Sequence, residues 1–338
     1  MLSQVAAPEE AQFERQLRPQ SFDEYVGQEQ AVASLRVSVQ AARQRSECVD
    51  HVLLYGPPGL GKTTLAGVIA NEMGTKLVTT SGPAIERGAD LMGILTNLAE
   101  HDVFFIDEVH RLPRAVEELL YPAMEDFAVN FVIDRGLHAR TLKYSLRPFT
   151  LVAATTRPGM LSAPLRERFG ILHHLDFYSQ AELARIVGRS ASIMGARVEP
   201  EGAAEIARRA RGTPRIVNRL LRRVRDYAQV TGDGLITVAI ARDALDREGV
   251  DGRGLDRLDR RFLAAIIDHY AGGPVGIEAV AATINDEAES LTELVEPYLL
   301  KIAFVVRTPA GRRATREAYL HLGKQPPAAA TGQAALFE

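Results

Sequence analysis

The stretch Gly56-Pro-Pro-Gly59-Leu-Gly61-Lys62-Thr63-Thr64 holds the residue types a polyphosphate needs, at a spacing that lets them act together. Glycines let backbone N–H groups wrap phosphate oxygens without Cβ clashes. Lys62 can reach the β- and γ-phosphates, and the Thr63 hydroxyl can hold Mg²⁺. Apolar Val52–Tyr55 before the loop reads as a buried strand, and Thr63–Glu72 after it as a helix. The N-terminus of that helix adds positive potential where an anion would sit.

A second acidic stretch completes a nucleotide-hydrolysing site. Val103-Phe-Phe-Ile106 is an apolar strand that delivers Asp107 to its end, where a carboxylate can bind Mg²⁺ through water. Glu108 beside it can polarise an attacking water. Asp107–His110 spells the D-E-x-H form found in many motor ATPases. Ala154-Thr155-Thr156-Arg157 ends a further strand, and either threonine hydroxyl can sense the γ-phosphate. Arg166 and Arg168 lie near a short helix, where a cation offered to a neighbouring subunit's phosphates is one reading and a surface charge the other. Gly212-Thr-Pro-Arg215 sets an arginine at the start of a helix that could reach the γ-phosphate. His110, His173 and His174 invite a metal reading, but adjacent strand residues face opposite sides, so no shared ion is expected.

These residues require a scaffold. Leu77–Thr80, Val103–Ile106, Leu151–Ala154 and Leu172–Phe177 join Val52–Tyr55 as short apolar runs, expected to be strands buried on both faces, with helices between. The fold class is α/β, a five-stranded parallel sheet with the ligand loop at the strand C-termini. Residues 129–147 alternate apolar and polar around Asp134-Arg135-Gly136 and predict an inserted β-hairpin, either a plain edge or an arm for a partner. From Ser179, where Ser179-Gln-Ala-Glu182 is a capping box, the chain reads as all-helical. Asp251-Gly-Arg-Gly-Leu255 reads as a linker. Helices over Asp259–Tyr270, Gly276–Ile284 and Ser290–Ile302, then a strand, a Pro-Gly turn and a returning strand, make a winged helix. Three domains follow: 1–178 with the ATPase sheet, 179–250 as a small helical lid, and 251–338 as the winged helix with a disordered tail from about 325.

Composition sets the remaining bounds. With 338 residues, 46% hydrophobic and 25% charged, the chain is an ordinary multidomain globular sequence. The single cysteine, Cys48, excludes an internal disulfide and a cysteine zinc site. No apolar run approaches the ~18 residues of a membrane span. The N-terminus lacks a signal-peptide pattern and reads as a frayed tail, so a cytoplasmic location is expected. Net charge is −3, which argues against a generic nucleic-acid coat, but residues 179–250 carry 13 basic and 9 acidic side chains. An ATP-driven DNA motor, an AAA+ loader or remodelling machine, and an ATP-sensing winged-helix regulator all remain open on these residues. The lack of an Arg, Asn and Gln cluster on Ser290–Ile302 counts against the last.

Several longer strings carry a resemblance. Leu17-Arg-Pro-x-x-Phe-x-Glu-Tyr-Val-Gly-Gln28, Phe105-Ile-Asp-Glu-Val-His-Arg-Leu112, Tyr121-Pro-Ala-Met-Glu-Asp-Phe127, Pro164-Leu-Arg-Glu-Arg-Phe-Gly170 and Gly212-Thr-Pro-Arg-Ile-Val-Asn-Arg-Leu-Leu-Arg-Arg-Val-Arg-Asp-Tyr227 resemble the RuvB family of AAA+ motors over about residues 15–324. The resemblance implies ATP-driven branch migration of Holliday junctions by a homohexameric ring around duplex DNA, in recombination and repair. It implies RuvA as partner through the hairpin 129–147, and the resolvase RuvC as a further one. By the same resemblance Leu17 and Arg18 flank the adenine, with Tyr178 and the Glu125-Asp126-Phe127 backbone nearby. Gly59, Lys62, Thr63 and Thr64 hold the phosphates of ATP or ADP, Thr63 also Mg²⁺, and Asp107 and Glu108 are the acidic pair. Arg168 is the finger given in trans and Arg215 the second sensor, while Arg307 and Arg312 on the wing contact the DNA backbone. Two positions depart from the family: Ala288 and Ala310 stand where an arginine is usual, with Arg313 placed to compensate.

Overall fold

A computed structural model describes residues 16–133 and 140–327, and side chains outside 130–142. The N-terminal tail, the hairpin turn at Asp134–Gly136 and the C-terminal tail from 328 lie outside the described residues. The chain divides into two compact units, one ending at Ala241 and the other starting at Arg242. The expected boundary at 178 falls inside the first unit.

The first unit is built on strands β1 (Val52–Tyr55), β2 (Leu77–Ser81), β3 (Val103–Asp107), β6 (Thr150–Thr155) and β7 (Ile171–His174), in the order β2-β3-β6-β1-β7. Every pairing is parallel. Helix α1 (Glu29–Arg45) precedes β1, and α2 (Lys62–Met73) follows it directly after the glycine loop. The three central strands are buried on both faces, as their apolar runs require. The two outer strands are not. β2 is at most half-buried throughout, and β7 alternates half-buried and exposed positions. β7 stops at His174 rather than Phe177, level with Tyr55, where its partner β1 gives way to the glycine loop. Helices α3 (Gly88–Leu95) and α4 (Arg114–Glu125) cover one face, where Leu53, Phe104, Ile106, Leu120, Phe149 and Leu151 form the core.

Strands β4 (Ala128–Ile133) and β5 (Arg140–Ser145) pair antiparallel, as the alternating pattern of 129–147 predicts. The short helix α5 (Ala163–Glu167) links β6 to β7. The lid segment holds α6 (Gln180–Ile193), α7 (Pro200–Arg209) and α8 (Pro214–Thr231). Ser179 caps α6 by accepting the Glu182 N–H, while the Glu182 carboxylate accepts the Ser179 N–H. The segment is not wholly helical. Two-residue strands β8 (Arg197–Val198) and β9 (Leu235–Ile236) pair parallel. Such strands are too short to leave a period in the sequence. Gly202 allows the approach, since a Cβ there would lie 2.5 Å from the Ile236 carbonyl oxygen.

Helix α9 (Val238–Arg247) spans the division between units. The second unit holds α10 (Arg257–His269), α11 (Ile277–Ile284), α12 (Ala288–Ser290), a π-helical turn at Leu291–Val295, α13 (Glu296–Lys301), the antiparallel β10 (Val305–Thr308) and β11 (Gly311–Ala314), and α14 (Arg316–His321). Its core gathers Leu255, Phe262, Ile266, Leu291, Leu299 and Phe304.

The segment 251–255, expected as a linker, is internally tied: Asp251 accepts the N–H groups of Arg253 and Leu255 and pairs with His321 at 2.8 Å. Leu255 is fully buried, and the Tyr298 hydroxyl donates to the Arg253 carbonyl. The helix expected over Ser290–Ile302 opens into a π turn, because Pro297 has no N–H and its ring crowds the preceding turn. Helix α14 was missed in the sequence, although Thr315 caps it by accepting the Ala318 N–H.

Candidate nucleotide site

The loop from Gly56 to Lys62 sits at the C-terminal end of β1. Its glycines adopt backbone that side chains resist: φ is 140° at Gly56, 80° at Gly59 and 98° at Gly61. Close approach reinforces the requirement. A Cβ on Gly56 would lie 2.3 Å from the Leu175 carbonyl oxygen, and one on Gly61 would lie 2.6 Å from the Tyr25 hydroxyl. Leu60, fully buried, pins the loop from beneath. We expect Gly61→Ala to cost about 1–3 kcal/mol in urea unfolding, from the disfavoured φ and the clash together. Adding Tyr25→Phe removes the clashing oxygen and should recover part of that loss; no recovery would show that φ alone sets the cost.

Lys62 is buried at 7% exposure, and its Nζ donates to the Gly56 and Pro57 carbonyls at 2.8 Å each. Burial pushes its ammonium down from 10.5 to about 8, against the opposing pull of Asp107 and Glu108. The sign of the linkage is clear. A bound triphosphate favours the charged form, so binding above about pH 8 takes up a proton. Affinity should therefore fall roughly tenfold per pH unit between about 8 and the ordinary lysine range. Calorimetry in two buffers of different ionisation enthalpy reads the uptake; a pH-independent affinity would contradict it.

At the end of β3, burial raises the Asp107 carboxyl above its ordinary value, and one oxygen accepts the Glu108 N–H at 2.9 Å. Glu108 is left-handed with φ 49°, a strained conformation for a non-glycine residue. Its carboxylate pairs with Arg111 at 3.2 Å. Gly82 packs against it, where a Cβ would lie 2.3 Å from the Glu108 carbonyl oxygen.

Thr155, which ends β6, and Thr156 just beyond it are indistinguishable by sequence but differ here. Thr155 Oγ1 shares a 3.0 Å hydrogen bond with His110 Nδ1 and also accepts the Arg157 N–H. Thr156 Oγ1 is buried with no hydrogen-bond partner among the described residues.

Tyr178 packs under the loop. Its hydroxyl donates toward the Leu60 carbonyl and the Tyr25 hydroxyl, each at 3.3 Å, and burial pushes the phenol up to about 12. Its N–H donates to the Gly212 carbonyl, joining β-sheet and lid segments. Arg215, the second residue of α8, has its N–H 3.5 Å from the Gly59 carbonyl oxygen and is exposed. Leu17 is buried, and its carbonyl accepts from Arg189 at 2.6 Å; the Arg18 carbonyl accepts from Gln20. Thr63 and Thr64 lie in the first turn of α2. Sequence reasoning missed Tyr25, which meets the loop only through packing of residues far apart in the chain.

One expected grouping separates. Glu125, Asp126 and Phe127 are not beside Tyr178 and the loop. They close α4 near the opposite end of β1, where His51 Nε2 donates to the Met124 carbonyl and the Phe127 ring meets His51 and Phe149. Asp126 pairs with Lys143 at 3.5 Å. Arg168 stands at the same end. Its Nη2 meets Glu125 at 3.1 Å, Nη1 donates to the Pro164 carbonyl at 2.6 Å, and the guanidinium lies 4.4 Å from the Tyr121 ring centroid. Three steps of about 3.3 Å put roughly 10 Å between the first and last Cα of β1.

In the second unit Arg307 and Arg312, expected as DNA contacts, both grip the buried carboxylate of Glu296. Ala288 opens α12 and Ala310 sits in the wing turn, while Arg313 on β11 is exposed.

A parallel sheet carrying a glycine-rich phosphate loop, with an acidic pair two strands away across β6, a helical lid and a winged helix, defines an AAA+ P-loop ATPase. Three family models match consecutive segments: the RuvB Holliday junction DNA helicase P-loop domain over 17–175, the RuvB AAA lid domain over 178–251, and the RuvB C-terminal winged helix domain over 252–323. The chain therefore belongs to the RuvB family. It is 60% identical over 309 residues to the Holliday junction branch migration complex subunit RuvB of Desulfosudis oleivorans, covering 91% of this chain and 90% of that protein. The Chloroflexus aggregans subunit is 57% identical over 315 residues, covering 93% and 90%. Among solved structures, the Thermotoga maritima RuvB Holliday junction branch migration motor is similar with a TM-score of 0.85 at 49% identity, over 92% of this chain and all of that one. The family sets aside the loader and regulator readings.

Proposed function

We propose that this chain moves Holliday junctions by ATP hydrolysis, as a homohexameric ring on duplex DNA that works with RuvA and beside RuvC in recombination and repair. Membership of the RuvB family supports the reaction; the geometry of the loop, Asp107 and Glu108 supports the chemistry. Three working domains follow, 1–178 for hydrolysis, 179–250 as lid and 251–338 for DNA. No helix among the described residues is long and apolar enough to cross a membrane, and the proposed setting is the cytoplasm.

In this reading the loop amides and Lys62 take the phosphates, with Gly59, Thr63 and Thr64 beside them. Leu17, Arg18 and Tyr178 flank the base. Oxygen donors suit Mg²⁺: Thr63 and the half-buried Asp107, one of whose oxygens is committed to the Glu108 amide, would hold it, Asp107 through water. The ion would neutralise charge on the β- and γ-phosphates. Glu108 polarises the attacking water. Thr156 senses the γ-phosphate, since its buried hydroxyl is unmet whereas Thr155 is engaged by His110. Arg215, whose backbone touches Gly59, carries nucleotide state into the lid helices.

Arg168 lies too far from its own loop to serve it, which supports a role at the neighbouring subunit's phosphates. Glu125-Asp126-Phe127 shares that end and would meet the neighbour's nucleotide too. The hairpin 129–147 is the proposed RuvA arm. Wing residues Arg307 and Arg312, with Arg313, would contact backbone phosphates without reading bases. The test is the ATP hydrolysis rate with four-way junction DNA and RuvA together. Acceleration over the chain alone is expected; an unchanged rate with both present would contradict the reading.

A further inference from the structure

Glu296 opens α13 with a side chain that has no solvent exposure, yet it meets two cations from the wing. Arg307 donates Nε to Oε1 at 3.1 Å and Nη2 to Oε2 at 2.5 Å. Arg312 donates Nε to Oε1 at 2.7 Å and Nη2 to Oε2 at 3.3 Å. The two arginines face each other across the β10–β11 ribbon, Arg307 paired with Arg312 in register. Each guanidinium thus commits its Nε/Nη2 edge to one carboxylate. The Nη1 of each makes no hydrogen bond among the described residues, and Arg307 is 54% exposed. Burial works against the Glu296 charge, but the hydrogen bonds from Arg307 and Arg312 outweigh it and hold its carboxyl below the ordinary value.

A buried anion between two cations lowers the charge that the wing offers to a polyanion. If charge alone governed DNA binding, the arrangement would be counterproductive. What it supplies is order: long arginine side chains are held in one rotamer before DNA arrives, so that ordering is not lost on binding. We propose that Glu296 is a positioning residue for DNA, fixing Arg307 and Arg312 so that their remaining N–H edges stand together for the phosphate backbone. This rests on the reading that the two arginines contact duplex.

The test uses the full chain and a fluorescent duplex, with affinity measured across a salt series. Glu296→Gln adds one net positive charge to the wing. A charge-only wing would then bind duplex more tightly and with steeper salt dependence. A positioned wing binds roughly tenfold more weakly, with a salt slope shallower by about 1. Amide-exchange protection over Val305–Ala314 reports whether the ribbon stays folded. ATP hydrolysis without DNA should be unchanged. With protection intact, affinity equal to or above that of the parent chain overturns the proposal.

If Glu296→Gln loses that protection, Arg307→Lys decides. It keeps the charge and leaves Glu296 paired with Arg312, removing only the planar fork. Several-fold weaker binding is expected, and unchanged affinity overturns the proposal. The double variant Arg307→Ala with Arg312→Ala separates the two layers. Parent-like binding by that double sinks the contact reading itself. A weakened double beside an unweakened Glu296→Gln sinks only the positioning role.

Discussion

Arg168→Ala should leave ATP binding in place and cut turnover by about 10³–10⁵-fold, the range for a cation that stabilises charge on a transferring phosphoryl group. Binding is spared because Arg168 and the phosphate loop lie near opposite ends of β1. Within one chain Arg168 rests on Glu125 and the Tyr121 ring, contacts it must exchange to act on a neighbour. Subunit mixing makes the geometry testable. A Glu108→Gln subunit retains Arg168 but lacks the carboxylate proposed to polarise water. An Arg168→Ala subunit retains Glu108. Where the second carries the nucleotide and the first supplies the arginine, the joint site is complete, so mixed rings should recover part of the activity. Absence of recovery at every mixing ratio would place Arg168 in its own subunit's site or outside the chemistry.

Lys62→Ala should lower ATP turnover by about 10²–10³-fold, the scale for losing a preorganised electrostatic group in a water-poor site. The fold should survive. Lys62 is a buried cation held by two carbonyls, so its removal relieves a desolvation cost while leaving those carbonyls without their donor. The two effects oppose, and the unfolding midpoint should shift by only a few degrees. The measurement is steady-state ATPase beside a thermal melt. Normal turnover in a folded variant would refute the phosphate-loop assignment.

How much was legible in the sequence depended on whether a feature is local. Gly56, Gly59, Gly61 and Lys62 were readable because a phosphate loop is one backbone path, written in one stretch of chain. The three central strands were readable because burial on both faces leaves an unbroken apolar run. β7 was overextended because an apolar run cannot say where its partner β1 gives way to the loop. β8 and β9 were invisible at two residues each. Thr155 and Thr156 separated only when folding brought His110 to one of them. Glu125-Asp126-Phe127 lies near the end of β1 away from the loop, since the resemblance that groups it with Tyr178 says nothing of where α4 ends relative to β1. Arg307 and Arg312 were found as wing cations, but Glu296, ahead of both in the chain, was an ordinary glutamate until the ribbon folded over it.

The central claim is that hydrolysis at this loop is spent on moving a DNA junction. The most direct measurement places a synthetic four-way junction with the purified chain, RuvA and ATP, and follows separation of the arms. We expect arms to separate with ATP, to stay joined with ADP, and to stay joined when Lys62→Ala replaces the parent chain. Rapid ATP consumption with every junction left intact would contradict it.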